Sequence, residues 1–397
     1  MPDTANGTFS SVNKDSPTGA CEHCLTSGIY ARNFQPRDLD VSHISHVLYA
    51  FLNLKSDGTV YVKQENAGIA LTRTEATLET DTPILRNTLE ETKANRHLKT
   101  QLSIGGWTWY MNFPDAASTP EGRAKFTSTS VELRWNWGFD GIDVDWEYPF
   151  NEIEATNFVL LLQAVRNELD TYGQKYASGH HFLLSIAAPA GLEKYEHLHL
   201  KDIGEIVDHI NLMAYDYSGS WDKISGHNAN LYPYNHHGAK MFDTDKAVND
   251  YITAEVPPDK IVLGMPIYGR SFEGNSGFGE SYRDVGGGSW EPGVWDYKAL
   301  PKPGAVIKYD PAAQAYYSYE ESTKELISYD TPPVVRKKVE YLLEHGLGGS
   351  MFWEVSADKE GDDSLIITSY NVLGGLDMTE NWLDYNNYYY YNIASGM

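Results

Sequence analysis

The chain has 397 residues, of which 41% are hydrophobic and 22% charged, a composition typical of a globular protein and a length that suits a large barrel. Its 55 acidic and 31 basic side chains give a formal net charge of −24, which would repel nucleic acids and anionic lipid surfaces but would not oppose a neutral ligand. No run of about 18 apolar residues occurs, so the sequence predicts no membrane-spanning helix and no membrane partner.

The N-terminal region gives no targeting or metal signal. The first 20 residues are polar and lack the apolar core of a signal peptide, so we expect either an unusual secretion route or the removal of a leader. Cys21 and Cys24, in the stretch CEHC, cannot close a four-ligand zinc site by themselves, and we favour an incidental or disulfide-linked pair without a function. We predict flexible termini over 1–19 and 386–397, the latter with four consecutive tyrosines.

Short apolar segments rich in β-branched residues recur along the chain, as expected of strands covered on both faces. In chain order they are a weak segment near Gly28–Arg32 and the clear segments His46–Asn53, Lys99–Gly106, Gly141–Tyr148, Phe182–Ala188, His209–Tyr217, Lys260–Gly269 and Gly348–Val355. Helical patterns at Glu121–Trp137, Asn157–Leu169 and Val334–Leu343 lie between them. Eight strands alternating with helices predict an α/β fold, a (β/α)8 TIM barrel.

One interval breaks this alternation. Between Gly269 and Val334 the sequence is rich in Gly, Tyr and Pro and has no long helical period. We predict a small α+β insertion domain over 272–330, between strand seven and helix seven, with the catalytic barrel over 20–271 and 331–385. Because the loops at the carboxyl ends of barrel strands hold the active site, the insertion should form one of its walls. A surface excursion is the alternative.

The strongest chemical signal is an alternating row of acids in the segment DGIDVDWEYP. On a strand, Asp143, Asp145 and Glu147 share one face, and the apolar residues between them face the covering helices. Like charges along the row should raise one another's pKa, so that Glu147, at the carboxyl end, keeps its proton near neutrality. A protonated carboxyl group is what a glycosidase needs to protonate a leaving oxygen.

Other interpretations of this row are weaker. The alternating apolar residues disfavour an exposed acidic loop. A divalent-metal site is the rival chemistry, but the spacing lacks the glycine of a calcium loop and no pair of histidines lies nearby, so we predict no metal and no cofactor. Neither a GxSxG elbow nor a GxxxxGK[ST] phosphate loop is present.

The row resembles the DxxDxDxE hallmark of the family 18 glycoside hydrolases, the chitinases, with Asp140 as its first member. Further segments resemble family motifs in the same order: Ser103–Trp107, Met213–Tyr217, Gly264–Arg270 and Gly349–Glu354. The chain most resembles the fungal enzymes of bacterial-type architecture, whose α+β insertion domain corresponds to 272–330. It departs from the family where Tyr30-Ala-Arg32-Asn33 replaces a glycine by alanine.

The resemblance implies substrate-assisted hydrolysis of β-1,4-linked N-acetylglucosamine chains with retention of configuration, an exception to the two-carboxylate scheme. Glu147 would act as acid and then base, Asp145 would stabilise the oxazolinium ion, Asp143 would assist Asp145, and Tyr215 would hold the acetamido oxygen. Trp353 would form the floor beneath the distorted sugar.

Further implied substrate contacts, which the residues alone do not establish, are Tyr30, Phe51, Trp107, Met213, Asp216, Tyr268, Arg270 and Glu291. Phe51 and Met213 could equally be core residues. The resemblance also implies a monomer acting on chitin or chitooligosaccharides outside the cell, with a cytoplasmic location as the alternative. A chitin-binding lectin of the same fold and an endoglycosidase acting on N-linked glycans remain alternative functions.

Overall fold

A computed structural model describes residues 21–23, 32, 34, 38–62, 92–234 and 242–384 of the chain. Tyr30, Cys24 and the predicted flexible termini over 1–19 and 386–397 lie outside the described residues. In the described part, no helix has the length and the apolar character needed to cross a membrane.

The described residues contain fourteen strands in two sheets. In chain order they are β1 (Cys21–His23), β2 (His46–Leu54), β3 (Val60–Tyr61), β4 (Lys99–Gly105), β5 (Gly141–Asp145), β6 (Leu183–Pro189), β7 (His209–Met213), β8 (Ile261–Pro266), β9 (Tyr268–Glu273), β10 (Val294–Asp296), β11 (Val306–Asp310), β12 (Ala315–Glu320), β13 (Glu325–Ser328) and β14 (Gly349–Trp353).

The larger sheet confirms the predicted (β/α)8 barrel. Its strands β1, β2, β4, β5, β6, β7, β8 and β14 lie side by side in that order, each parallel to its neighbour. Strand β1 also contacts β14, at the other end of the row. The carboxyl ends of all eight strands therefore meet at one end of the barrel, where a barrel's active site lies.

The first barrel strand and the end of β5 differ from the sequence patterns. The first barrel strand is Cys21–His23, paired with Val47–Tyr49 of β2; of the weak segment near Gly28–Arg32, all residues but Arg32 lie outside the described residues. This strand is short and polar, so pairing with β2 defines it and apolar patterning could not reveal it. Strand β5 ends at Asp145, so Glu147 lies just beyond the strand.

The predicted helices are present and longer than their apolar patterns. The longer helices of the described residues are Pro120–Trp137, Glu152–Tyr176, Thr244–Thr253, Pro332–Glu344 and Leu365–Leu373, with shorter ones at Phe113–Ser118, Leu192–Tyr195 and Leu200–Ile206. Thr119 caps one of them by accepting a hydrogen bond from the Gly122 N–H at 3.0 Å. Gly138, at φ 72°, ends the same helix because glycine adopts the left-handed conformation without steric cost.

The smaller sheet is antiparallel, in the order β10-β9-β13-β12-β11. Its first strand begins at Tyr268, two residues after β8 ends, and the chain returns to the barrel at the helix Pro332–Glu344. We propose on this basis that 272–330 forms the predicted insertion domain. Strand β9 thereby carries Tyr268 and Arg270 directly from the carboxyl end of the barrel.

Candidate active site

Strand β5 turns its carboxylates into the barrel and its apolar residues outward. Trp146 is buried between two helices, stacked on Phe113 at 5.3 Å and edge-on to Phe158 at 5.5 Å between ring centroids. Asp143 and Asp145, on the opposite face, are also buried. The alternation predicted from the sequence is therefore the arrangement observed.

Asp143 is surrounded by three hydrogen-bond donors. Its carboxylate accepts bonds from the hydroxyls of Ser103 and Ser185, both at 2.7 Å, and from the Asn211 amide at 3.2 Å. Burial raises the pKa of Asp143, and these three bonds oppose that rise. Since the donors come from β4, β6 and β7, Asp143 links these three strands to β5 in the interior of the barrel.

Two glycines allow β4 to approach Asp145 closely. Gly105 has φ 117°, and a Cβ there would lie 2.3 Å from the Asp145 carbonyl oxygen. A Cβ on Gly106 would lie 2.9 Å from the Phe51 ring, and the Gly106 N–H donates to the Asp145 carbonyl at 2.9 Å. Sterics therefore explain why the Ser103–Trp107 segment contains two glycines: a side chain at either position would push the end of β4 away from its neighbours.

Glu147 lies beyond β5 and is mostly buried. Burial raises its pKa from an ordinary 4.5 to about 7, and the charge of Asp216 adds to the rise. The Tyr148 hydroxyl, which donates to Glu147 Oε2 at 3.0 Å, and the Trp107 backbone oppose it. The direction matches the prediction, but burial, and not the neighbouring acids of the row, is the largest cause, with the charge of Asp216 second among those that raise this pKa.

Asp216 joins the end of β7 to strand β9 of the smaller sheet. It accepts hydrogen bonds from the Tyr268 hydroxyl at 2.6 Å and from Arg270 Nε at 2.9 Å, and a second Arg270 nitrogen lies 2.8 Å away. Burial would lower the pKa of Arg270, but the charge and hydrogen bond of Asp216, together with the interactions with Tyr268 and Glu291, raise that pKa overall. Asp216 has φ 58°, a conformation held by the bond from its N–H to the Asn228 side chain at 3.1 Å.

An aromatic floor lies at the carboxyl end of β14. The Trp353 ring stacks on Phe51 with centroids 5.5 Å apart and planes 29° apart. Tyr215 stands edge-on to Tyr268, with centroids 6.2 Å apart, and its hydroxyl lies 4.0 Å from the Met351 sulfur. Met213 packs in the same small cluster inside the barrel.

The exposed members of the predicted substrate contacts lie at the rim of the candidate active site. Trp107 is 66% exposed and stacks on Tyr110 with centroids 5.2 Å apart. Glu291 is exposed on the insertion, close enough for its charge to help raise the pKa of Arg270. Of the residues predicted for the site, Tyr30 alone lies outside the described residues.

Two further residues at this end of the barrel were not predicted from the sequence. Tyr148 binds Glu147 directly, although it follows it in the chain. Trp221 is 56% exposed and lies against Arg270, whose guanidinium carbon is 5.0 Å from the ring centroid. A tryptophan in a loop of small polar residues, five positions after Asp216, was the available signal.

An ionic cluster fixes the insertion beside the floor. Arg32 pairs with Asp296 on β10 at 3.0 Å and with Glu354, which follows Trp353. The Trp290 indole N–H donates to Asp296 at 2.9 Å, and the guanidinium carbon of Arg32 lies 5.1 Å from the centroid of the Trp290 ring. Since these residues come from the N-terminal segment, the insertion and the end of β14, the cluster holds three parts of the chain together. Within the described residues, no group of three or more His, Cys, Asp or Glu side chains is arranged to hold a metal ion.

Comparisons with known proteins agree with this geometry. The model of the family described as glycosyl hydrolases family 18 matches residues 26–358. The chain is 56% identical to endochitinase 1 of Metarhizium robertsii, over 93% of this chain and 88% of that protein, and 52% identical to chitinase 1 of Aphanocladium album, over 93% and 89%. Among solved structures, it resembles chitinase ChiA74 from Bacillus thuringiensis, with a TM-score of 0.80 and 30% identity over 92% of this chain and 70% of that one.

Proposed function

Because the chain belongs to glycosyl hydrolases family 18 and hydrolyses chitin, we propose that Glu147 is the proton donor of a substrate-assisted reaction that retains anomeric configuration. One observation carries the assignment. Glu147 combines a place at the carboxyl end of the barrel with a pKa of about 7, so a large fraction holds a proton at neutral pH. A carboxyl group with an ordinary pKa would have lost its proton before it could serve as an acid.

In the first step, Glu147 protonates the glycosidic oxygen between two sugars and the bond to the anomeric carbon breaks. The acetamido oxygen of the substrate bonds to that carbon and closes an oxazolinium ring. We assign Asp145 to the acetamido N–H, where its negative charge would stabilise the cation, and Tyr215 to the acetamido oxygen, which its hydroxyl would orient for attack. Asp143, whose pKa burial raises, can share a proton with Asp145 as positive charge develops.

In the second step, the Glu147 carboxylate takes a proton from water as the water oxygen bonds to the anomeric carbon. The ring opens, the acetamido group is restored and Glu147 regains its proton. Both bonds to the anomeric carbon form on the face opposite to the group that leaves, so two inversions give net retention. Mixing the enzyme with a chitooligosaccharide and following the first-formed anomer by NMR would test this; an inverted product would exclude the oxazolinium route.

The aromatic and charged residues around Glu147 suit a neutral sugar chain. Trp353, backed by Phe51, offers a flat apolar floor for the sugar that reacts. The Asp216–Tyr268–Arg270 group presents polar atoms beside it, and Trp107 and Trp221 extend the aromatic surface along the rim. We propose Met213 and Glu291 as weaker contacts. No charged partner is needed, which fits a strongly acidic protein.

Glu147→Gln tests the assignment most directly. The amide keeps the shape of the side chain but has no acidic proton to donate, so turnover of a chromogenic chitobioside should fall by a factor of about 100 to 10,000. Binding of chitooligosaccharides should remain measurable. Glu168→Gln is the matched control, since Glu168 lies exposed on the helix Glu152–Tyr176 and its loss should leave turnover unchanged. Undiminished turnover in Glu147→Gln would contradict the assignment.

The same assays separate the alternatives. A lectin of this fold would bind chitooligosaccharides and release nothing from the chitobioside. An endoglycosidase would release glycans from a glycoprotein faster than it cleaves a chitin hexamer. Activity that survives a chelator would remove the metal-dependent alternative. We further propose that the protein acts outside the cell, because an insoluble polymer cannot reach an intracellular enzyme; activity confined to cell extracts would contradict this. We also propose that it acts as a monomer, and a larger molecular mass in solution would contradict that.

A further inference from the structure

Phe150 is a large apolar side chain on the surface beside the candidate active site. It is 71% exposed and follows Glu147 by three residues. Three Cα–Cα steps span at most about 11 Å, so Phe150 stands close to the catalytic carboxyl group. No step of the proposed reaction uses this side chain, and its place at the active-site end of the barrel makes it accessible to a bound substrate.

The backbone that carries Phe150 is fixed by a capping arrangement at the start of the helix Glu152–Tyr176. The Phe150 N–H donates to Glu154 Oε2 at 2.8 Å. The Asn151 side chain accepts from the Glu154 N–H at 3.0 Å and donates to Glu154 Oε1 at 3.0 Å. Because these bonds hold the segment in place, a ligand that covers the ring orders little of the chain, which lowers the entropic cost of binding.

A lysine from the neighbouring loop lies over the same ring. Lys194 Nζ is 5.4 Å from the Phe150 ring centroid, within the range of a cation–π contact. Lys194 belongs to the short helix Leu192–Tyr195, which follows β6, and Phe150 follows the adjacent strand β5. Leu192 is also exposed. Phe150, Lys194 and Leu192 thus form one surface at the carboxyl end of the barrel, the end that carries Glu147.

We propose that this surface binds a stretch of the chitin chain beyond the sugars held at the catalytic centre, with the Phe150 ring against the apolar face of a pyranose. The inference rests on the proposed function. A neutral polymer is the occupant that the charge of the protein favours, since −24 would oppose an acidic partner. A chitobioside offers fewer sugars to this surface than the polymer does, so the contact should matter more for the polymer.

The test compares two substrates on each variant. For Phe150→Ala we expect the ratio of activity on insoluble chitin to activity on a chromogenic chitobioside to fall about two- to tenfold, the range expected for one aromatic contact. Phe150→Tyr keeps the flat ring and should keep the ratio, whereas Phe150→Leu keeps apolar character without a flat face and should lower it. Because each ratio is internal to one preparation, partial misfolding does not change it.

Tyr176→Ala is the matched control. Tyr176 is the last residue of the helix that Phe150 precedes, so it lies at the other end of the barrel, 48% exposed and with Lys175 4.8 Å from its ring. Its loss should leave the ratio unchanged.

Binding to insoluble chitin can be measured without turnover in the Glu147→Gln background, where adding Phe150→Ala should weaken the affinity by the same factor. If Phe150→Ala changes neither the activity ratio nor the affinity for insoluble chitin, the inference is overturned. It is also overturned if Tyr176→Ala lowers the activity ratio as much as Phe150→Ala does. Failure of the proposed function would appear differently, as turnover retained in Glu147→Gln itself.

Discussion

The alkaline limit of activity should depend on a single hydrogen bond. The Tyr148 hydroxyl donates to Glu147 at 3.0 Å and stabilises the charged carboxylate, so it lowers the pKa of Glu147 below the value that burial alone would produce. In Tyr148→Phe this stabilisation is lost. The pKa of Glu147 should therefore rise from about 7, and the acid should keep its proton at higher pH.

The size of the shift follows from the strength of the bond. A hydrogen bond to a charged group contributes about 1.5 to 3 kcal/mol, and Glu147 is mostly but not fully buried, so we take the lower end. Because about 1.4 kcal/mol corresponds to one pH unit, the alkaline limb should move upward by about one unit.

The assay is kcat/KM for a chromogenic chitobioside over about two pH units on either side of neutrality. Tyr195→Phe is the matched control, since it removes a tyrosine–carboxylate bond of 2.6 Å to Asp250, which is not part of the candidate site, and should leave the limb in place. An alkaline limb that stays in place or moves downward in Tyr148→Phe would refute the reasoning.

Two further predictions concern stability, each measured by urea unfolding. Asp143→Ala should lower the free energy of unfolding by about 2 to 4 kcal/mol, because three buried donors lose their acceptor, and Asp143→Asn should cost less; equal losses in the two variants would contradict this explanation. Lys338→Met should lower the free energy of unfolding by about 3 to 5 kcal/mol, because Asp330, 2.6 Å from Lys338, would stay buried without its cation. Adding Asp330→Asn should recover part of that loss, and no recovery would show that packing and not charge causes it.

The row of acids was predictable because strand geometry is local. Side chains alternate between the two faces of a strand, so Asp143 and Asp145 lie on one face whatever the rest of the fold does. The apolar residues between them indicate which face the helices cover. Tyr148 could not be found this way. Its hydroxyl reaches back to the preceding residue only because the chain turns after β5 ends at Asp145, and that turn has no periodic signature.

The first strand and the raised pKa of Glu147 both depend on contacts between segments that are distant in the sequence, so neither could be predicted from local patterns. Cys21–His23 carries almost no apolar signal, and its pairing with β2 is what makes it a strand. The sequence predicts that the neighbouring acids along β5 raise the pKa of Glu147, whereas the largest cause is burial, and the charge of Asp216, 69 residues later in the chain, adds to it. Trp221 was missed because its contact with Arg270 joins two loops that are distant in sequence.

By itself the sequence determined the alternation of strands and helices, the order of the motifs and the face on which the acids lie, because each depends on periodicity or on residues close together in the chain. The tertiary structure alone decided which groups surround those acids. Burial, the donors around Asp143 and the charge beside Glu147 come from segments that meet only when the barrel closes, and the electrostatic free energy of a buried carboxyl group depends on those neighbours rather than on its own sequence.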